Sequence, residues 1–316
     1  MPDHSAQHEA VHHPAAPDSA AGGLSEPRFR HEFRAMGTVI ELLLDADAAE
    51  QAQSAFRAVE EEFERLEAML SRFRPDSELS QLNRDGRILA PPDLERVVGL
   101  ALEARESSGG RFDPTVYDAL AQAGYDRSFE QVAPDAAADA AAEAAADSLQ
   151  GAARCGGRVT IDPATGWIEI EPGFHIDLGG IGKGYAVDRA IEILAVVGPC
   201  VVNAGGDLAV RGDKPWPIGV EDGPTLELTR GAIATSGRDR RHWRRGDEER
   251  HHLIDPATGR PAQTDLLRVT VVASTAIEAD VLAKTLFLAG EQEAAAAGVP
   301  ALLVCADGRT RLVGGL

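Results

Sequence analysis

Helical and strand-like segments mix along this 316-residue chain without the regular βαβα rhythm of a doubly wound protein. That irregularity predicts an α+β fold, with largely antiparallel sheets and flanking helices. The strand-rich second half agrees. So does the apolar content of 44%, which at this length supports a sizeable core in one large domain or two medium ones. Residues 1–27 stand apart. They are rich in Ala, His, Pro, Ser and Asp and poor in large apolar residues, so they are expected as a solvated tail ahead of a domain spanning 28–316. His4, His8, His12 and His13 in that tail are metal-capable, but a solvated His tract is the simpler reading.

Order is expected from near Phe29. The stretch FRAMGTVIELLLDA alternates apolar and polar residues and then runs apolar, as a strand or hairpin does. Over 47–69, Ala52, Phe56, Val59, Phe63, Leu66 and Leu70 recur at three- and four-residue steps, which predicts an amphipathic helix with an acidic outer face. SRFRPDSELSQLN reads as a turn and a short helix capped by Asp76 or Ser77. A helix over 93–107 is stopped by Gly109 and Gly110. Residues 133–150 place Asp135, Asp139, Glu143 and Asp147 every four residues on alanine, as a helix with a solvated face. RVTIDPATGWIEI reads as a hairpin, and 182–196 as a helix. Strands are expected in PCVVNAGG, LAVRG, WPIGVED, RHHLIDP and LRVTVVAST. A helix over 276–289 and two short strands close the chain.

Lys and Arg number 31 against 51 Asp and Glu, a net charge of −20. A phosphate backbone or an anionic membrane wants a basic surface, so neither nucleic acid nor such a membrane is an expected partner. No apolar run is long enough for a membrane span. Cys155, Cys200 and Cys305 form no CxxC or zinc pattern, which argues against a disulfide scaffold and fits a reducing compartment. The N-terminus lacks a basic segment followed by an apolar one, so no secretory signal is read and the expected location is cytoplasmic.

The chemistry concentrates in HIDLGGIGKGYAVDRAIEIL, residues 175–194. Glycines surround Lys183 just before a helix, the setting in which backbone N–H groups cradle phosphate. A Walker A loop fails here: Gly184 follows Lys183 where Ser or Thr is needed, and Asp177 stands where a glycine is needed. The glycine spacing also fails the dinucleotide fingerprint. Five other islands resemble sites, each with a plainer reading. In GGRFDPTVYDAL, Asp113 can be a helix cap. NAGGDL can be a hairpin and ATSG a turn. In RHHLIDPATGRPA, His252 sits on an expected strand before a turn. In TAIEADVLAKTLFLAG, Asp280 and Lys284 share a helix face, either as an ion pair or as a metal-holding carboxylate beside a lysine.

Taken in order, MGT, LSRFRPDSELSQLN, GGRFDPTV, DLGGIGKGYAVD, NAGGD, TSG, HLIDPATGRP and EADVLAKTLFLAG resemble the ApbE family of flavin transferases from residue 29 to about 314. The resemblance implies an α+β fold with a flavin cleft between subdomains. It implies FAD as substrate and Mg²⁺ to help split its pyrophosphate. The FMN half passes to a Thr or Ser of a target protein and AMP leaves; some members instead hydrolyse FAD to FMN and AMP. Residue by residue, it implies flavin or cofactor contacts at Met36, Phe73, Arg111, Phe112, Asp113, Asp177, Lys183 and Ile254. Phe73 stands where many members carry Tyr. The carbonyl of Gly180 and the carboxylate of Asp280 match metal ligands, and His252 matches the family histidine.

Phosphoryl chemistry fits that assignment. It needs charge neutralisation around a pyrophosphate and in-line placement of a hydroxyl. Lys183 supplies a point charge. His252 is the candidate general base, with an ordinary pKa near 6.5. One position departs. Typical members carry Thr or Ser four residues after the aspartate as a further magnesium ligand, and here that place holds Lys284. Thr285 is one residue later, rotated by about 100° on a helix. A protonated lysine has no lone pair to offer a metal. Either its ammonium sits against the pyrophosphate, or it pairs with Asp280 in the metal's place and leaves a flavin-binding module with little catalysis.

Overall fold

A computed structural model describes residues 28–127, 153–245 and 248–316. The expected tail and the acidic helix over 133–150 lie outside them. Fifteen strands and six α-helices are described: β1 Phe29–Ala35, β2 Thr38–Leu44, α1 Ala49–Leu70, α2 Glu78–Asp85, β3 Arg87–Leu89, α3 Pro92–Ser107, a 3₁₀ turn Pro114–Val116, α4 Tyr117–Gln122, β4 Val159–Ile161, β5 Trp167–Ile170, α5 Gly182–Ala195, β6 Cys200–Ala204, β7 Asp207–Gly219, β8 Thr225–Gly237, β9 His242–Arg245, β10 Glu248–His251, β11 Ile254–Asp255, β12 Arg260–Pro261, β13 Leu266–Ala273, α6 Ala276–Ala296, β14 Ala301–Cys305 and β15 Thr310–Val313.

Eight strands form one sheet in the order β1-β2-β6-β7-β8-β13-β14-β15, and every pairing in it is antiparallel. A three-stranded sheet β3-β5-β4 and the hairpins β9-β10 and β11-β12 complete the strands. The fold is therefore α+β and antiparallel, as expected. The main core joins α1 and α5 to the strands from Ile40, Leu42, Leu44 and Val202. A second cluster packs α6 on β13 and β14 through Leu286, Phe287, Val269 and Leu303.

Local chemistry sets the elements. On α1, Phe56, Val59, Phe63 and Leu66 are buried at helical spacing. The β1–β2 hairpin turns through Met36 and Gly37, both with positive φ (50° and 69°), the two-residue geometry that matches strand twist. Of the two candidate caps for α2, Ser77 serves: its hydroxyl accepts the Ser80 N–H at 3.0 Å. Helix α6 starts at Thr275, whose hydroxyl accepts the Glu278 N–H. Its first two N–H groups, of Ala276 and Ile277, donate to the two carboxylate oxygens of Asp188 on α5 at 2.7 and 3.0 Å. The helices approach closely there: a Cβ on Gly184 would lie 2.9 Å from the Ala276 carbonyl oxygen.

Several expected elements change. LAVRG and the first four residues of WPIGVED belong to one strand, β7, with an irregularity between Arg211 and Trp216. It pairs with the 13-residue β8, whose last four residues, ATSG, are strand and not the turn that their plainer reading suggested. RHHLIDP is not one strand: β10 ends at His251 and β11 begins at Ile254, so His252 lies in a bend. The last helix runs beyond 289 with a break at Gly290 (φ 81°, ψ 170°), a backbone that glycine adopts without strain. The three cysteines are free. Among the described residues no helix is long and apolar enough to cross a membrane.

Candidate functional site

One cleft of about 360 Å³ gathers every site residue named from the sequence: Met36, Phe73, Arg111, Phe112, Asp113, Asp177, Gly180, Lys183, His252, Ile254 and Asp280. Its lining carries Arg72, Arg74, Arg111, Lys183, Arg240, Arg241, Arg268 and Lys284 against Glu67, Asp113, Asp177, Asp207, Asp239 and Asp280. The cleft is thus biased to positive charge within a chain of net charge −20, which suits an anionic ligand.

On one side stands an aromatic and guanidinium wall. The buried Arg72 side chain lies 4.5 Å from the Phe73 ring centroid, 4.7 Å from Tyr125 and 5.4 Å from Tyr117, and pairs with Asp177 at 3.0 Å. Phe73, 37% exposed, meets Tyr125 edge-on at 5.7 Å. Met36 holds its left-handed turn because its N–H donates to Glu67 at 2.8 Å. Beneath lies a small apolar cluster containing Leu120, Trp243 and Ile254.

The glycine loop meets this wall at Asp177, whose Oδ1 accepts the Gly179 N–H at 3.0 Å. Gly180 has little room: a Cβ there would lie 3.2 Å from Phe112 and 3.4 Å from the Lys284 Cε. Helix α5 then opens on the cleft at Gly182 and Lys183. Asp113 caps the 3₁₀ turn, as its plainer reading had it. Its carboxylate accepts the N–H and O–H of Thr115, both at 2.8 Å, and the Gly156 N–H at 2.9 Å. Arg111 sits at the rim, paired with the exposed Glu293.

At the far end four charges converge. The Lys183 ammonium donates to Asp207 and lies 3.9 Å from Asp280 Oδ2. The Lys284 ammonium donates to Asp280 Oδ1. Both carboxylates are buried, at 2% and 1% exposure. Burial works against the Lys183 ammonium, but Asp207 and Asp280 outweigh it and hold its pKa above the usual lysine value. Burial and the neighbouring Asp280 push the Asp207 carboxyl up, against the pull of both lysines. His252 lies close by, its Nδ1–H donating to the Arg241 carbonyl at 3.3 Å. Burial, then the charges of Arg241 and Lys284, hold its pKa well below 6.5, so the ring is neutral with Nε2 as the acceptor.

Sequence reading missed Asp207, Arg72, and the basic side chains of Arg240, Arg241 and Arg268. Asp207 was visible only as the exit of NAGGD, and Arg72 only as part of LSRFRPD. The buried Arg268 pairs with Asp239 through two nitrogens and lies 3.0 Å from Glu221.

Comparison with known proteins decides the family. The ApbE family profile matches residues 36–301. The chain belongs to the ApbE family. Among relatives of ApbE type, the FAD:protein FMN transferase of Treponema pallidum is 30% identical over 300 residues, covering 84% of this chain and 82% of its own. The FAD:protein FMN transferase of Haemophilus influenzae is 27% identical over 285 residues, covering 83% and 80%. The crystal structure of the ApbE protein of Thermotoga maritima superposes with a TM-score of 0.77 at 25% identity, covering 91% of this chain and 97% of that one.

The magnesium site implied by the family can be tested on this donor set. Asp280 is its carboxylate, but Oδ1 already accepts from Lys284, and Oδ2, buried without a hydrogen-bond partner, faces Lys183 at 3.9 Å. The Lys284 stem packs against Gly180, the other implied ligand. Thr285 turns its hydroxyl into its own helix, donating to the Val281 carbonyl at 2.9 Å. Among the described residues no group of three His, Cys, Asp or Glu could hold a metal. A divalent ion at Asp280 would meet two ammonium groups, and the neighbouring Asp207 is itself taken by Lys183, so these residues do not fit a magnesium ion.

Proposed function

We propose that this protein transfers the FMN half of FAD to a Ser or Thr hydroxyl of an acceptor protein and releases AMP. The observation that carries the reading is the convergence of the glycine loop, two lysines and a neutral histidine in one cleft, in a chain whose relatives carry the name FAD:protein FMN transferase. The aromatic wall of Phe73 and Tyr125 with Met36 offers a surface for the isoalloxazine ring. The loop and α5 N-terminus suit the diphosphate. Nε2 of His252 accepts the proton of the incoming hydroxyl. The hydroxyl oxygen bonds to the FMN phosphorus, and the bridging P–O bond breaks with its electron pair on AMP. Holding the ring neutral keeps the base available at every pH above its lowered pKa.

The test is incubation with FAD and a peptide carrying a Ser/Thr flavinylation motif, followed by intact mass and AMP analysis. An FMN adduct on the peptide with matching AMP is the expected result. AMP with free FMN and no adduct would make the protein an FAD pyrophosphatase, and no AMP at all would make it a flavin-binding module.

A further inference from the structure

The four convergent charges are arranged as two like units. Each is a buried aspartate holding the ammonium of a lysine whose side chain is 15% exposed: Asp207 with Lys183 and Asp280 with Lys284. The lysines come from different helices, α5 and α6, and both line the cleft. An ammonium has three N–H donors. With one given to its aspartate, each lysine keeps two for a ligand. The stem of Lys284 runs beside Gly180, where a Cβ would lie 3.4 Å from its Cε and 3.6 Å from its Cδ.

We infer that Lys183 and Lys284 clamp the FAD diphosphate as a pair, and that Lys284 takes over the charge neutralisation a divalent cation would supply. The inference rests on the proposed FMN transfer and deepens it: cleavage of the diphosphate needs no metal. Asp207 and Asp280 are then positioning residues that seat the ammonium groups, and the bond changes are those already given. The negative charge gathering on the departing AMP phosphate is met by fixed ammonium donors.

Wild-type protein is assayed for AMP release from FAD, with the same peptide acceptor, in EDTA and in excess Mg²⁺. Flavin fluorescence gives FAD affinity in both buffers. The expected wild-type rate and affinity are the same in both. Lys284→Met, which keeps the stem and removes the charge, is expected to lower the EDTA rate by ~10²–10³-fold, the scale of losing one preorganised electrostatic contact. It should weaken FAD binding about tenfold to a hundredfold. Lys284→Thr is expected to lose the same rate in EDTA and recover it with Mg²⁺, while Lys284→Arg retains metal-independent turnover. A wild type that turns over only with Mg²⁺ overturns the inference and leaves FMN transfer standing. A wild type that binds FAD but turns over in neither buffer overturns both. The wild-type comparison decides even if a variant fails to fold.

Discussion

Replacing Arg72 by methionine removes a charge from the seam between the aromatic wall and the glycine loop. The Arg72 side chain is 4% exposed and that of Asp177 10%, so their 3.0 Å pair is largely shielded from water. Breaking a buried pair by deleting one partner costs about 3–5 kcal/mol, because the other charge stays buried. Asp177 keeps the Gly179 N–H and lies on the cleft wall, where water reaches it, which favours the lower end. The guanidinium also loses its bond to the Tyr125 carbonyl and its contacts with three rings. Arg72→Met should therefore lower stability by about 3 kcal/mol. Urea unfolding followed by circular dichroism checks this as a fall in midpoint at unchanged slope. If the cost is the stranded carboxylate, Arg72→Met with Asp177→Asn recovers at least ~1 kcal/mol relative to the sum of the single changes. Strict additivity in that cycle refutes the reasoning and leaves packing as the whole effect.

His252→Ala should lower turnover by ~10²–10⁴-fold while FAD binding, read by fluorescence quenching, is retained. Gly184→Ala should cost ~1–3 kcal/mol in thermal unfolding, because its Cβ meets the Ala276 carbonyl oxygen at 2.9 Å and the Ile277 Cα at 3.0 Å. Gly99→Ala, within α3 with its nearest contact at 3.8 Å, is the control and should stabilise by up to ~1 kcal/mol. Acid should destabilise the fold through His251, whose pKa is lowered by burial; its Nδ1 accepts the Leu253 N–H and its Nε2–H donates to the Ala262 carbonyl. The unfolded state binds the proton more readily, so this contribution is full above 6.5 and is lost as pH falls below it; unfolding midpoints across that window check the sign, and His251→Gln should flatten the dependence.

Where function depends on residues close together in the chain, the sequence was readable. Gly180 to Lys183 and the Asp280–Lys284 face are local patterns, and the structure keeps them as a loop running into the start of α5 and as a helix face. Asp207 was not readable in the same way. Its partner is 24 residues earlier, across a helix and a strand, and no local pattern encodes that meeting. The outer half of β8 was hidden for a related reason: it is largely exposed, so the alternation that betrays a half-buried strand is weak there. His252 read as a strand residue because it runs into the β-prone Leu253 and Ile254 just before a Pro/Gly turn, yet the chain bends between β10 and β11 and the ring lines the cleft.

The clamp between Asp188 and the first turn of α6 lies outside the cleft, yet it fixes what the cleft can tolerate. Lys183 and Asp188 ride on α5, Asp280 and Lys284 on α6, and one carboxylate locks the middle of α5 to the first turn of α6. The spacing of the phosphate-facing charges is therefore settled during folding, and little conformational entropy remains to be lost when an anion arrives. Phe73 has no such anchor: it stands on a turn, 37% exposed, with the Arg72 guanidinium over its ring and Tyr125 edge-on to it. Selection among ligands accordingly falls on the phosphate end, which cannot adjust its span, and tolerance falls on the ring end, which can.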